Sequence, residues 1–144
     1  MRYLETVDVN DRFVDETWEK VSKSGSYYSI GDGVTKETFR KVLFQSALVL
    51  RGASAIFRIE NNRDFVEVHP IVFGHSFFRD AHSVLEEGVK LLGKLFDSKP
   101  ICCIIPDGMK GTRHLAQIAG MTEAGKLARE LSGVPISCTV FVWR

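Results

Sequence analysis

The chain has 144 residues, 44% of them hydrophobic and 26% charged, with a formal net charge of +1. That is enough chain to bury a core without staples, and near-neutrality removes the electrostatic case for nucleic acid or an anionic membrane as partner. No apolar run approaches the roughly 20 residues that cross a bilayer, and Met1-Arg2-Tyr3-Leu4-Glu5 lacks a signal-peptide pattern, so one domain over 1–144 in the cytoplasm is expected.

Residues 2–7 alternate and predict a short opening strand. Asp8, Asn10 and Asp11 offer an N-cap for a helix with Phe13, Val14, Trp18 and Val21 on one face, ending near 23–25. A loop over 26–33 holds Tyr27 and Tyr28, which either line a pocket or clamp the loop to the core. Thr35 can cap a second helix with Phe39, Val42 and Leu43 inward. Residues 47–50, 55–59 and 65–72 follow with tight turns between them, which predicts an antiparallel meander. After Phe73-Gly74-His75-Ser76, the residues Phe77, Phe78, Ala81, Val84, Leu85, Val89, Leu92, Leu95 and Phe96 recur at spacings of three and four, the stripe of a long amphipathic helix. A strand over 101–105, a turn at Pro106-Asp107-Gly108 and a helix over about 110–119 come next. A strand over 122–129, a turn over 132–135 and a closing strand over 136–143 complete the chain.

The order is β-α-α-β-β-β-α-β-α-β-β, an α/β (α+β) pattern that packs as a mixed, mostly antiparallel sheet with helices on both faces. The strand-helix-strand unit from Phe65 onward needs a right-handed crossover, and the mouth where its first strand meets its helix is where an anion would sit. The three cysteines, Cys102, Cys103 and Cys138, fall in predicted strands, which favours buried thiols in a reducing compartment over a disulfide framework. Neighbours in one strand point to opposite faces, so Cys102 and Cys103 make no metal pair. There is no zinc spacing, Walker motif or nucleophile triad, and no metal is expected.

Together with this order, Val68-His69-Pro70, the helix ending at Leu95-Phe96, Pro106-Asp107-Gly108 and the run Leu115 to Met121 resemble the GNAT superfamily of acyl-CoA-dependent N-acyltransferases, and among them small GNAT-like proteins of tailed bacteriophages. The resemblance implies acetyl-CoA or another acyl-CoA as cofactor. Its pantetheine arm would run past the backbone of Ile71 and Val72, and its pyrophosphate would meet the helix start Ser76, Phe77, Phe78, Arg79, Asp80 and Ala81. Only Ala81 fits the family's glycine-rich loop there; Ser76 stands for an Arg or Gln and Arg79 for a glycine. The family's Asn falls on Met109 and its tyrosine general acid on Ala116.

Glu67 and His69 share one strand face by the period of two, and either suits the general base that deprotonates an amine; packing beside Phe65 and Ile71 is the alternative for His69. His75 suits a phosphate contact or a solvated loop, and His82 and His114 suit the surface. Arg79 and the run Lys110-Gly111-Thr112-Arg113 suit either a basic rim or a solvated helix start, with Lys126 as a further basic position. Two functions follow: an acetyltransferase acting on a small-molecule or protein amine, or a non-catalytic module of this fold bound to a phage or host protein, in the host cytoplasm or a virion. An open cleft beside Val72 favours the first; a cleft filled by Phe73, Phe77 or Met109 favours the second.

Overall fold

The computed structural model describes residues 2–24, 34–131 and 133–143. Tyr27 and Tyr28 lie outside the described residues. Eleven elements follow in the expected order: β1 (Glu5–Thr6), α1 (Asp11–Ser24), α2 (Lys36–Gln45), β2 (Leu48–Arg51), β3 (Ala55–Asn61), β4 (Val66–Val72), α3 (Ser76–Leu95), β5 (Ile101–Pro106), α4 (Lys110–Ile118), β6 (Thr122–Leu131) and β7 (Val134–Trp143). Among the described residues, no helix is long and apolar enough to cross a membrane.

The helix starts carry the expected caps. Asn10 Oδ1 accepts from the Phe13 N–H at 2.8 Å, and Thr35 Oγ1 accepts from the Thr38 N–H at 3.2 Å. The end of α4 is closed by Gly120 at φ +81°. Its N–H reaches Gln117 O while that of Met121 reaches Ala116 O, a termination that needs the left-handed conformation glycine adopts freely.

The strands form one seven-stranded sheet in the order β1-β2-β3-β4-β5-β7-β6. Every pair is antiparallel except β4 and β5, which the α3 crossover makes parallel. Pleating sorts the side chains onto two cores. Leu50, Phe57, Ile59, Val66 and Val72 pack against α3, whereas Val49, Ile56 and Ile71 pack against Phe13, Val14 and Val21 of α1 and Phe39 and Leu43 of α2.

Two boundaries and the burial of one residue depart from expectation. The opening strand shrinks to Glu5–Thr6, because the N–H groups of Tyr3 and Leu4 go to Glu87 of α3 at 2.9 and 2.6 Å rather than to the sheet. The last hairpin is longer than its sequence suggests, since pairing continues to Leu131↔Val134. Leu95, placed on the buried stripe of α3, is 50% exposed, although Leu92 before it and Phe96 after it pack with the core.

Candidate active site

β4 and β5 pair only at Val66↔Ile101 and Glu67↔Cys102. Beyond those two positions the strands part, so the β5-facing edge of Val68 to Val72 runs beside an opening. On the α3/α4 side this opening adjoins a cavity of about 60 Å³ whose lining includes Val68 and Pro70 of β4, Cys103 of β5 and Ala116 of α4. Phe77 does not fill it: that side chain is buried with its ring against those of Phe57 and Phe78. Met109 packs with Cys103, Ile105, Ala116 and Phe141, and Phe73 packs with the α1/α2 core on the opposite face.

The opposite face of the same strands carries a polar block. Glu60 stands directly across from Glu67, and Arg58 across from His69. Two carboxylates in facing positions repel one another, and the surrounding cations resolve the repulsion. Arg129 of β6 grips Glu67 with both ends of its guanidinium, Nη1 to Oε2 at 2.9 Å and Nη2 to Oε1 at 2.8 Å. Arg58 Nη1 donates to Glu60 Oε1 at 3.4 Å and to Ser46 Oγ at 3.2 Å. Two strands separate β4 from β6 in the sheet order, and Arg129 lies seven residues along β6 from Thr122, the position level with Glu67 through Cys102 and Val142. A flat sheet would hold the two far apart, so the ion pair requires the sheet to twist and carry the end of the β6–β7 hairpin over this face.

His69 completes the block. Its Nε2 lies 3.0 Å from Glu67 Oε2 and 3.6 Å from Glu60 Oε2. The nearer contact is poorly directed, and among the described residues this buried nitrogen has no hydrogen-bond partner in good geometry. The Glu67 side chain is 2% exposed, that of His69 25% and that of Arg129 40%, so the block is sealed at Glu67 and open at its rim. Burial alone would raise the pKa of Glu67; the contacts with His69 and Arg129 outweigh it and hold the carboxyl down to about 2. Ligand-capable atoms of Glu60, Glu67 and His69 gather within 4.8 Å, but both carboxylates already face guanidinium groups, which makes the cluster a chain of ion pairs rather than a cation site.

The expected pyrophosphate segment is less open. The first N–H groups of α3 are partly spent: Phe77 N–H goes to Gly74 O and Phe78 N–H to His75 O. The hydroxyls of Ser76 and Ser54 meet. A Cβ at Gly74 would come to 3.0 Å from Cβ and Oγ of Ser54, a tight contact that glycine avoids where this loop lies on the β2–β3 turn. Arg79 is exposed beside Asp80 at 3.4 Å, and Ala81 is buried. Ile71 and Val72 are both buried at the end of β4. His75 is exposed at the α3 cap position without a side-chain cap bond. His82 and His114 are exposed as expected.

The structure thus brings Glu67 and His69 together, places Val72 along the opening with the Ile71 backbone turned to β3, and packs Met109 against Cys103, Ile105, Ala116 and Phe141. Sequence reasoning missed Arg58, Glu60 and Arg129. The basic positions do not act as one patch: Lys126 is tied to Asp107 at 3.0 Å and to Thr139 at 2.7 Å. Asp107 also accepts from Thr139 and Ser137; these hydrogen bonds, Thr139's first and Lys126's next, lower its pKa to about 2. Cys102, Cys103 and Cys138 are buried and form no disulfide, and burial, with the Glu67 charge nearby, pushes the Cys103 thiol up to about 12.

A mixed sheet with one parallel seam that opens beside a long crossover helix is the fold of the GNAT acetyltransferases. Solved structures bear this out over nearly the whole chain. An acetyltransferase of the GNAT family from Bacillus anthracis matches at TM-score 0.75 and 13% identity, covering 99% of this chain and 95% of that one. The microcin C7 self-immunity acetyltransferase MccE, solved in complex with acetyl-CoA and AMP, matches at 0.72 and 11%, covering 99% and 93%. Spermidine N-acetyltransferase from Vibrio cholerae, solved with CoA and spermine, matches at 0.69 and 10%, covering 99% and 96%. No protein-family model matches the chain, and no curated protein does. At these identities the likeness establishes the fold.

Proposed function

We propose that this protein binds an acyl-CoA in the opening between β4 and β5 and acylates an amine, of a small molecule or a protein, presented on the α1/α2 side of the sheet. The observation that carries this is the loss of pairing after Glu67 and Cys102, which leaves the β4 edge from Val68 to Val72 facing a cleft. Backbone groups of Val68 and Val72, which point to the β5 side as Val66 does toward Pro100 O, suit a pantetheine arm, with Met109 beside it, while the backbone of Ile71 is turned to Ile56 of β3. At the α3 start (Ser76, Phe77, Phe78, Arg79, Asp80, Ala81) the backbone cradle is partly closed, so the Arg79 guanidinium takes over the charge that a glycine-rich loop would meet with N–H groups.

A bound acyl-CoA supplies an activated thioester: the carbonyl carbon gains the amine nitrogen, the carbon–sulfur bond breaks and CoA leaves as the thiol. This chain's part is the proton. Glu67, held down by Arg129, is a weak base. Its carboxylate and that of Glu60 lie beside His69 Nε2, an arrangement that favours a proton on Nε2 and leaves Nδ1 as the basic nitrogen. In this reading His69 Nδ1 accepts the amine proton, directly or through water.

The test is calorimetric titration with acetyl-CoA and CoA, on the wild type and on Arg79→Glu. Micromolar binding, weakened about tenfold by the charge reversal, is expected. Absence of heat and of thermal shift at millimolar ligand would favour the second reading, a structural or interaction protein, with a phage or host protein as partner, that keeps this fold without catalysis. Phe77 and Phe78 N–H groups already satisfied at the α3 start are the observation on its side.

A further inference from the structure

The cavity beside the opening extends further than a pantetheine arm along β4 requires. From Val68 and Cys103 it continues sideways beneath α3, behind β4, to Ile59 of β3, Leu50 of β2 and Leu4. Those three are buried, so that end is closed. Leu4 is held there by Glu87, which accepts the N–H groups of residues 2–4. Gly88 lines the same wall, and a Cβ there would meet the tip of the Leu4 side chain, Cδ1, at 3.2 Å, so a side chain at 88 would make Leu4 shift by a few tenths of an ångström.

Apart from the Thr112 hydroxyl and the sulfur atoms of Cys103 and Met121, the lining side chains are hydrocarbon. A site with so few polar partners cannot hold water with its usual hydrogen bonds and stays dry. Its volume of about 60 Å³ is several times the roughly 10–15 Å³ that one water needs in such a cavity, room for a short hydrocarbon tail. A void of this kind costs stability when empty, because its walls lose contacts, and an apolar occupant recovers them.

We propose that this cavity receives the hydrocarbon tail of a donor acyl group longer than acetyl, making the protein selective for short-chain acyl-CoA of the propionyl-to-butyryl class. The inference rests on acyl-CoA binding between β4 and β5 and adds the identity of the acyl group. Two further methylenes moved from water into an apolar site strengthen binding about tenfold.

The experiment is calorimetric titration with CoA, acetyl-CoA, butyryl-CoA and decanoyl-CoA, on the wild type and on Leu85→Phe, which narrows the cavity from the α3 side; Met121→Phe narrows it from the opposite wall and serves if the first variant does not fold. The expected result is an optimum at butyryl-CoA, about tenfold tighter than acetyl-CoA, with decanoyl-CoA weaker, and a ratio that falls to about twofold or less in the filled variants. If acetyl-CoA binds as tightly as butyryl-CoA, the donor inference is overturned while acyl-CoA binding stands. A butyryl preference untouched by filling the cavity places the tail elsewhere and overturns it as well. If no CoA species binds, both proposals fail together.

Discussion

Replacing Arg129 by Met keeps most of the side-chain bulk and deletes the guanidinium that grips Glu67. The carboxylate is then left in the sheet with only 2% of its side chain exposed and with the Glu60 carboxylate directly across from it. In the fold Glu67 titrates at about 2 instead of 4.5. Each pH unit of that difference corresponds to about 1.4 kcal/mol, so about 3 kcal/mol is what its favourable contacts leave after offsetting the cost of burial. His69 shares in that sum, and 40% of the Arg129 side chain faces water, so screening trims the arginine's part. The expected loss is about 2 kcal/mol near neutral pH. Because the folded pKa lies below the unfolded one, this stability is present above 4.5 and disappears as pH falls toward 2. Urea unfolding of wild type and Arg129→Met should therefore show a gap that narrows on acidification, and a cycle with Glu67→Gln should return most of the loss as coupling. A gap that does not change with pH, or a loss under about 0.5 kcal/mol, would show that the ion pair does not hold the hairpin to the sheet.

Thr35→Ala removes the oxygen that accepts the Thr38 N–H and should lower stability by about 1 kcal/mol in chemical denaturation. Phe39 is 1% exposed, with its ring 5.3 Å from that of Trp18; Phe39→Ala should cost about 4 kcal/mol and shift the tryptophan emission to the red, and an unchanged midpoint would contradict the packing of α2 on the sheet.

Much of the fold was legible because its signals are local. The stripe of α3, the Thr35 cap and the Gly-Met step after α4 each depend on residues within a few positions of one another, and each is where its spacing predicts. The extent of β1 was not legible, because it is decided by Glu87, more than eighty residues away. The polar block divides in the same way. Glu67 and His69 follow from the period of two within one strand. Arg129 lies 62 residues from the carboxylate it grips, in a stretch of ordinary alternation, and nothing near it in the chain marks it out. Arg58 and Glu60 become visible only once the β3–β4 register is known, since the pairing sets them opposite His69 and Glu67.

The parallel seam has a mechanical consequence. Four strands lie on one side of it and three on the other, and the seam itself holds two facing residue pairs plus the bond from Val66 N–H to Pro100 O. The neighbouring ladders are far longer, from Ala55↔Val72 to Asn61↔Val66 on one side and from Ile101↔Trp143 to Pro106↔Cys138 on the other. The sheet is therefore two plates joined along a short weld. Sub-global opening should follow that line, so that amides within each plate exchange with solvent water as a set, and a ligand wedged between the plates would fasten them to each other where the backbone does not.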